Sequence, residues 1–400
     1  MTGSLAVLLA PLVVVGFEDR VETRVRTFGD GIPRVDLVES ASLQLSISGQ
    51  RNSATIGYAP MLLLLSVGTP EQAVGFAQTF NGTATHTYRR GFVSLQHSSV
   101  LARNNLRLTL VPQPLDPSGP TDQTPTVPLP PGSAASGGAL YDTVVWFGST
   151  RTSLALGQTL SQRLRLHEYV SYSAHGGLGS ATETLYPRQY QQAAGAGLGQ
   201  TLSRRDTLTH GLDAQRTSTS GRAEVYVLSL RETWAHVFSS ATSGQLSAGL
   251  AYAREVDLPG DDREGLDTWL PVGEGSLMSR WTGDGARAAL TTAVGVAPTV
   301  DWLSGRLDQR GYVNLTFTEE RRRFTWYVGG SGMTSLDRSS PNALTIAALA
   351  AGASQRWSRE VSVDANITAS RQLFGGENIA ASTLWMAFAG VTYRPNPWRL

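Results

Sequence analysis

The chain has 400 residues and a net charge of +1; hydrophobic residues make up 41% and charged residues only 16%, against about 25% charged in an average soluble protein. That balance does not fit a general binder of nucleic-acid polyanions, a bundle of membrane helices or a charged cytosolic surface. Cysteine is absent and all 33 basic residues are arginine, which removes disulfides, thiolate metal sites, cysteine nucleophiles, a phosphate-loop lysine and Schiff-base chemistry.

The first element is the apolar run Leu5–Val15 (LAVLLAPLVVV). It is shorter than the roughly 20 residues that span a bilayer as a helix, and it matches the apolar core of a secretory signal. No basic residue precedes it, so the other reading is a short buried segment of the mature protein. Residues 1–16 are expected to be a signal segment and 17–400 a single domain. Past Gly16 no stretch approaches the length of a membrane helix, so any membrane crossing must use strands.

From residue 34 onward the apolar period is two. Leu43, Leu45 and Ile47 alternate with Gln44, Ser46 and Ser48. Leu106, Leu108 and Leu110 alternate with Arg107 and Thr109, and Leu246, Ala248, Leu250 and Tyr252 with small residues. Val313, Leu315 and Phe317 oppose Asn314, Thr316 and Thr318, while Val361–Ala369 opposes Ser362, Asp364, Asn366 and Thr368. Strands with one apolar and one polar face follow. The polar face carries Ser, Thr, Asn, Gln and Arg, the strands are long, and aromatics stand near their ends, where interfacial girdles are expected (Trp146–Phe147, Tyr169 and Tyr172, Trp234 and Phe238, Trp326–Tyr327, Trp357, Tyr393). This combination fits a membrane barrel, apolar outward and polar inward, better than a soluble sandwich.

Short polar turns are expected at 49–52, 102–105, 161–163, 203–206, 239–242, 283–285, 318–322 and 358–360, with longer joins at 68–82, 114–139, 175–187 and 257–272. Alternation of short and long joins, with both chain ends at the short-turn end, requires further strands near 18–28 and 273–282. The fold class is therefore an all-β, transmembrane antiparallel β-barrel of about 18 strands; 16 remain without those two.

The stretches 39–65 (ESASLQLSISGQRNSATIGYAPMLLLL), 85–110, 149–173 and 296–315 resemble porin-like outer-membrane β-barrels of the kind associated with exopolysaccharide secretion in Gram-negative bacteria. The resemblance implies an outer-membrane channel for polymer export, working alongside a periplasmic polysaccharide co-export protein. It supplies no catalytic or ligand-binding residue set.

The residues themselves offer little chemistry. His97 precedes Ser98, and His167 precedes Glu168, but neighbours on a strand point to opposite faces and cannot form a dyad. No nucleophile-elbow or zinc-protease motif occurs, and neither an enzyme, a metal site nor a cofactor is expected. The acidic segment 257–274 lacks EF-hand spacing, and segment 112–132, with eight of the 19 prolines, reads as a stiff extended join. The inward face is the candidate site: Gln44, Arg107, Arg163, Arg165, His167, Asn314, Asp364 and Asn366 are assigned to it. Hydroxyl and amide groups there suit a hydrated sugar chain, and arginine suits uronate or phosphate groups. Expected partners are outer-membrane lipid and lipopolysaccharide, a polysaccharide chain and the co-export protein. A general diffusion or nutrient porin, a structural barrel of a trans-envelope complex, and a lipid-modifying barrel enzyme using His97 or His167 are the competing readings.

Overall fold

A computed structural model describes residues 12–27, 33–69, 72–105, 144–179, 182–183, 187–221, 224–256, 267–283, 285–300, 305–336, 344–374 and 382–399. The strands are β1 (Leu12–Thr27), β2 (Pro33–Ser48), β3 (Asn52–Leu65), β4 (Ala73–Tyr88), β5 (Gly91–Asn105), β6 (Val144–Thr159), β7 (Leu164–Gly177), β8 (Gln189–Thr201) and β9 (Asp206–Thr219). They continue with β10 (Glu224–Val237), β11 (Thr242–Val256), β12 (Asp267–Gly283), β13 (Ala286–Val300), β14 (Leu307–Arg321), β15 (Phe324–Ser335), β16 (Leu344–Arg356), β17 (Val361–Phe374) and β18 (Ser382–Tyr393). A two-residue β19 (Trp398–Arg399) follows.

Each long strand pairs with its neighbour in sequence, all antiparallel, and β1 pairs with both β2 and β18. The sheet is thereby closed into an 18-stranded barrel. Asp19–Thr27 runs against Tyr393–Trp385, and β19 extends the seam by pairing Val14 with Arg399 and Val15 with Trp398. The strands are 12 to 17 residues long, above the roughly 9–11 that a tilted strand needs to cross a bilayer. The expected first strand and the expected strand near 273–282 are both present, as β1 and β12. Leu12–Val15 of the apolar run form the first residues of β1, opposite Ser48–Leu45.

At one end the joins run longer, apart from the four residues between β9 and β10; at the other every join is short, two to four residues. Four share one device: Ser161, Ser203, Ser239 and Ser358 each accept two backbone N–H bonds through Oγ, at 3.0–3.2 Å, from residues two and three positions ahead. This is the serine turn that competes with strand pairing and reverses the chain. Some expected boundaries move. The β4–β5 hairpin turns at Arg89–Arg90, whereas 102–105 belongs to the upper part of β5, where Ala102 is buried and Arg103 lies opposite Phe76 and Trp146. The asparagines mark an exit into a long connection rather than a tight turn. Likewise β4 begins at Ala73 and β12 at Asp267, inside segments expected to be joins, and β14 continues to Arg321 before its turn. Arg107 and Thr109 lie outside the described residues.

Apolar residues line the outer face, with Leu95, Leu154, Val170, Leu230, Leu246, Leu250, Val294 and Leu349 all exposed. Aromatics ring both ends of that face: Trp234, Trp281, Trp357, Tyr393 and Trp398 towards the short turns, and Trp146, Tyr190, Tyr226, Trp269 and Trp385 towards the long connections. These are the girdles of an outer-membrane barrel.

On the inner face one arrangement recurs. Tyr169 stands opposite Gly195, which stands opposite Asp213, and the tyrosine O–H donates to the Asp213 carboxylate at 2.7 Å across the intervening glycine. Tyr312 crosses Gly295 to Glu274 at 2.5 Å, and Tyr327 crosses Gly352 to Asn366. A Cβ at Gly352 would sit 2.5 Å from Tyr327 Cε1, and one at Gly295 2.6 Å from the Tyr312 ring. Each joint bolts three strands together and requires the glycine. Gly352→Ala is therefore expected to lower barrel stability by about 1–3 kcal/mol, measured as the urea midpoint of folding into lipid vesicles. In the Tyr327→Ala background the same change should cost far less.

Candidate translocation lumen

The lumen is built from every second residue of each strand. The buried hydrophobic side chains of the described residues, among them Val38, Leu63, Leu65, Ala102, Phe147, Val225 and Ile346, all face inward. All but Ala293 lie in the half of their strand nearest the long connections. Val38, Leu63 and Leu65 pack together with Met61 and Ala73.

Buried charge accompanies them. Arg26 and Asp36, 1% and 0% exposed, form a forked pair (Nε–Oδ2 2.6 Å, Nη2–Oδ1 3.2 Å). Ser66, at φ +53°, closes the pair by donating its N–H to Asp36 and accepting from Arg26. Arg310, equally buried, pairs with Asp308 at 2.5 Å, and Asp308 also accepts from Ser335 Oγ at 2.6 Å. The long-connection end of the lumen is thus lined by a buried, ion-paired layer, while inward side chains nearer the short turns are largely accessible.

That accessible half has two different walls. From Ser40 of β2 through β5 no inward position of the described side chains is charged. Ser40, Ser42, Gln44, Ser46 and Ser48 face Ser53, Thr55, Asn81, Thr83, Thr85, Ser94 and Gln96 across successive strands. Ser46 and Thr55 hydroxyls lie 3.3 Å apart. The other wall carries charge in compensated groups. Arg20 of β1 reaches over Gly390 to Asp364 of β17 at 2.6 Å and holds Glu22 at 2.9 Å, while Arg24 binds Glu22 from the other side. Arg231 stands 3.8 Å from the Asp213 that Tyr169 already holds.

Of the residues assigned to the inner face, Gln44, Arg165, His167, Asn314, Asp364 and Asn366 lie on inward positions of β2, β7, β14 and β17. Arg163 sits in the β6–β7 serine turn, because the strand begins one residue later, and Arg107 is outside the described residues. Asp364 and Asn366 are brought together around Arg20 and Tyr327. Arg165 and His167 are neighbours on β7, with the His167 ring 6.3 Å from Phe92. Gln44 and Asn314 stand apart from both groups. Tyr169, Tyr327 and Phe147, expected in the girdles, face inward, and Glu274, expected in an acidic join, lies on β12; the sequence reading missed Arg20, Glu22, Asp213, Arg231 and Tyr312, since their partners are set by register between strands. His97 points outward and His167 inward, so they share no centre. Among the described residues no cluster of three His, Cys, Asp or Glu side chains could hold a metal.

A closed 18-stranded barrel with an apolar belt, paired aromatic girdles and a polar inner wall is an outer-membrane β-barrel channel. Residues 10–396 match the family described as the EpsX exopolysaccharide export family. The chain belongs to that family and is an outer-membrane channel for exopolysaccharide export. No curated protein matches it by sequence. Among solved structures it is similar in fold to the FrpB iron transporter of Neisseria meningitidis (F5-1 variant), at 8% identity and TM-score 0.50, covering 90% of this chain and 63% of that one. It is also similar to Pseudomonas aeruginosa OpdL, at 11% identity and TM-score 0.44, covering 97% and 99%, and to Pseudomonas aeruginosa OccK7, at 10% and 0.45, covering 96% and 99%.

Removing the Asp36 carboxylate leaves the buried Arg26 guanidinium without its forked ion pair. Asp36→Ala is expected to cost about 3–5 kcal/mol, read as a lower temperature at which the folded barrel converts to the unfolded band in heat-modifiability gels. Asp364→Ala, whose carboxylate is part-exposed, should cost far less.

Proposed function

We propose that the polysaccharide travels through the barrel along the uncharged wall of β2–β5. A sugar chain sliding there exchanges hydrogen bonds to water for equivalent bonds to Ser, Thr, Asn and Gln, and meets no fixed charge that would hold it. The observation that carries this reading is the continuity of that wall, from Ser40 to Gln96, through the accessible half of the lumen. Gln44 belongs to it. Arg165, His167, Asn314, Asp364 and Asn366 line the remainder of the path, where arginine can pair with uronate or phosphate groups of an anionic polymer.

The accessible half opens at the short-turn end, which is the periplasmic end of an outer-membrane barrel. Arg51, Arg163, Arg204, Arg205 and Arg359 sit in its turns. There we place the docking of a periplasmic polysaccharide co-export protein, which hands over the polymer; the barrel itself supplies a passive path without catalysis. In this reading the secretory signal ends before Leu12 rather than at the expected residue 16, because Leu12–Val15 pair with β2 and with β19, and the protein purified from membranes should have an intact mass lacking only the residues before β1.

The decisive experiment fills the wall. Ser46→Trp with Thr83→Trp should abolish cell-surface polysaccharide while the barrel remains folded and as abundant as the parent by heat-modifiability gel. In planar bilayers, conductance steps of the parent should be blocked by added polymer. Steps indifferent to polymer, with secretion intact in the double variant, would instead mark a diffusion porin.

A further inference from the structure

The outer face of the barrel is not uniform. On β11–β18 every outward acidic, arginine or histidine side chain of the described residues lies within three positions of a strand end, as with Arg254, Asp267, Glu319 and Arg371. On β5–β10 polar and ionisable groups stand well inside the belt. His97 lies six residues above the start of β5, donates to or accepts from Thr152 of β6 through Nδ1 at 2.9 Å, and packs against Phe80 with ring centres 5.8 Å apart. Ser99 and Thr150, opposite one another, stand one outward position further along. Glu168 lies four residues above the start of β7. His210 and Glu232, 45% and 59% exposed, pair at 2.7 Å on β9–β10 with Leu212 and Leu230 above them and Leu208 and Trp234 below.

Side chains of this kind facing hydrocarbon are unfavourable, because lipid tails offer neither hydrogen bonds nor solvation. The small residues Gly82 and Gly148 beside the His97 group also let another backbone approach closely, as at membrane-protein interfaces. Six adjacent strands, about 24 Å across at about 4.8 Å per step, carry this set together; on the preceding strands single polar groups, Glu39 of β2 and Gln78 of β4, also stand outward within the belt. We propose that the outer wall of β5–β10 is an intramembrane interface between copies of this barrel. A second copy is the fitting occupant because it presents the same set. Hydroxyls are both donors and acceptors, and the His210 ring and the Glu232 carboxylate add ring nitrogens and acceptor oxygens, so the patch is complementary to itself. This inference is independent of which substrate the lumen carries.

The chain contains no cysteine, which makes the test direct. Single substitutions Ser99→Cys, Thr150→Cys and Glu232→Cys, together with mixtures of these variants, are oxidised in intact outer membranes. Disulfide-linked dimers of this chain are expected from the β5–β10 set, and none from Leu315→Cys or Leu349→Cys on the opposite wall. In parallel, His97→Leu combined with Thr152→Val should dissociate the oligomer, seen as a drop to monomer mass in detergent by light scattering. A parent protein that is monomeric in membranes and detergent overturns the proposal. So does a His97→Leu, Thr152→Val barrel whose mass matches the parent's but whose unfolding midpoint rises, as expected if that wall simply faces lipid. Heat-modifiability shows in each case that the variant has folded.

Discussion

Inside a bilayer no water is present to satisfy a bare strand edge, and that single constraint makes the seam between β1 and β18 the interaction on which the rest depends. Asp19–Thr27 against Tyr393–Trp385 turns an open sheet into a barrel, and only then do the two faces acquire meanings. Alternate residues become lipid-facing or lumen-facing, the aromatic rings align at two heights, and an enclosed space exists. The Arg20–Asp364 pair and the short β19 strand reinforce the same seam from the inner wall and from the periplasmic end.

A second theme is how the wall keeps its shape around a wide lumen. An 18-stranded barrel is too broad for its inward side chains to meet across the middle and form a common core. The protein instead stiffens the wall locally, with tyrosines laid over glycines to reach polar partners two strands away. Towards the long connections it adds the buried layer containing Val38, Leu63, Leu65 and the Arg26–Asp36 pair. The two halves of the lumen therefore differ in kind: one is consolidated and buried, the other lined by accessible polar side chains.

Much of the architecture was legible in the sequence, because period-two alternation and serine-bearing turns are local signals. Ser161, Ser203, Ser239 and Ser358 marked four turns, and counting alternations led to 18 strands. Where local signals competed, the reading slipped: Asn104–Asn105 looked like a hairpin, while the true turn, Arg89–Arg90, carries no turn-forming residue between Tyr88 and Gly91. The site was legible only as a face. Gln44, Asp364 and Asn366 could be assigned inward from alternation, but that Asp364 meets Arg20, 344 positions away in sequence, depends on the register of strands at opposite ends of the chain. The same holds for Tyr169 and Asp213, which meet over a glycine on the strand between them.

The seam also orders events in time. Seventeen of the strand pairings join neighbours along the chain through a turn or connection, so each can form as soon as its two strands exist, whereas the pairing of β1 with β18 must wait for the whole polypeptide. Loop closure over several hundred residues carries the largest entropic cost of any contact in the molecule. Until it is made, β1 and β18 both present bare edges able to capture another chain. The barrel is thus most vulnerable to misassembly at its last step, and the salt links of Arg20 and Arg394 to residues at the opposite end of the chain act as latches that exist only once the circle is complete.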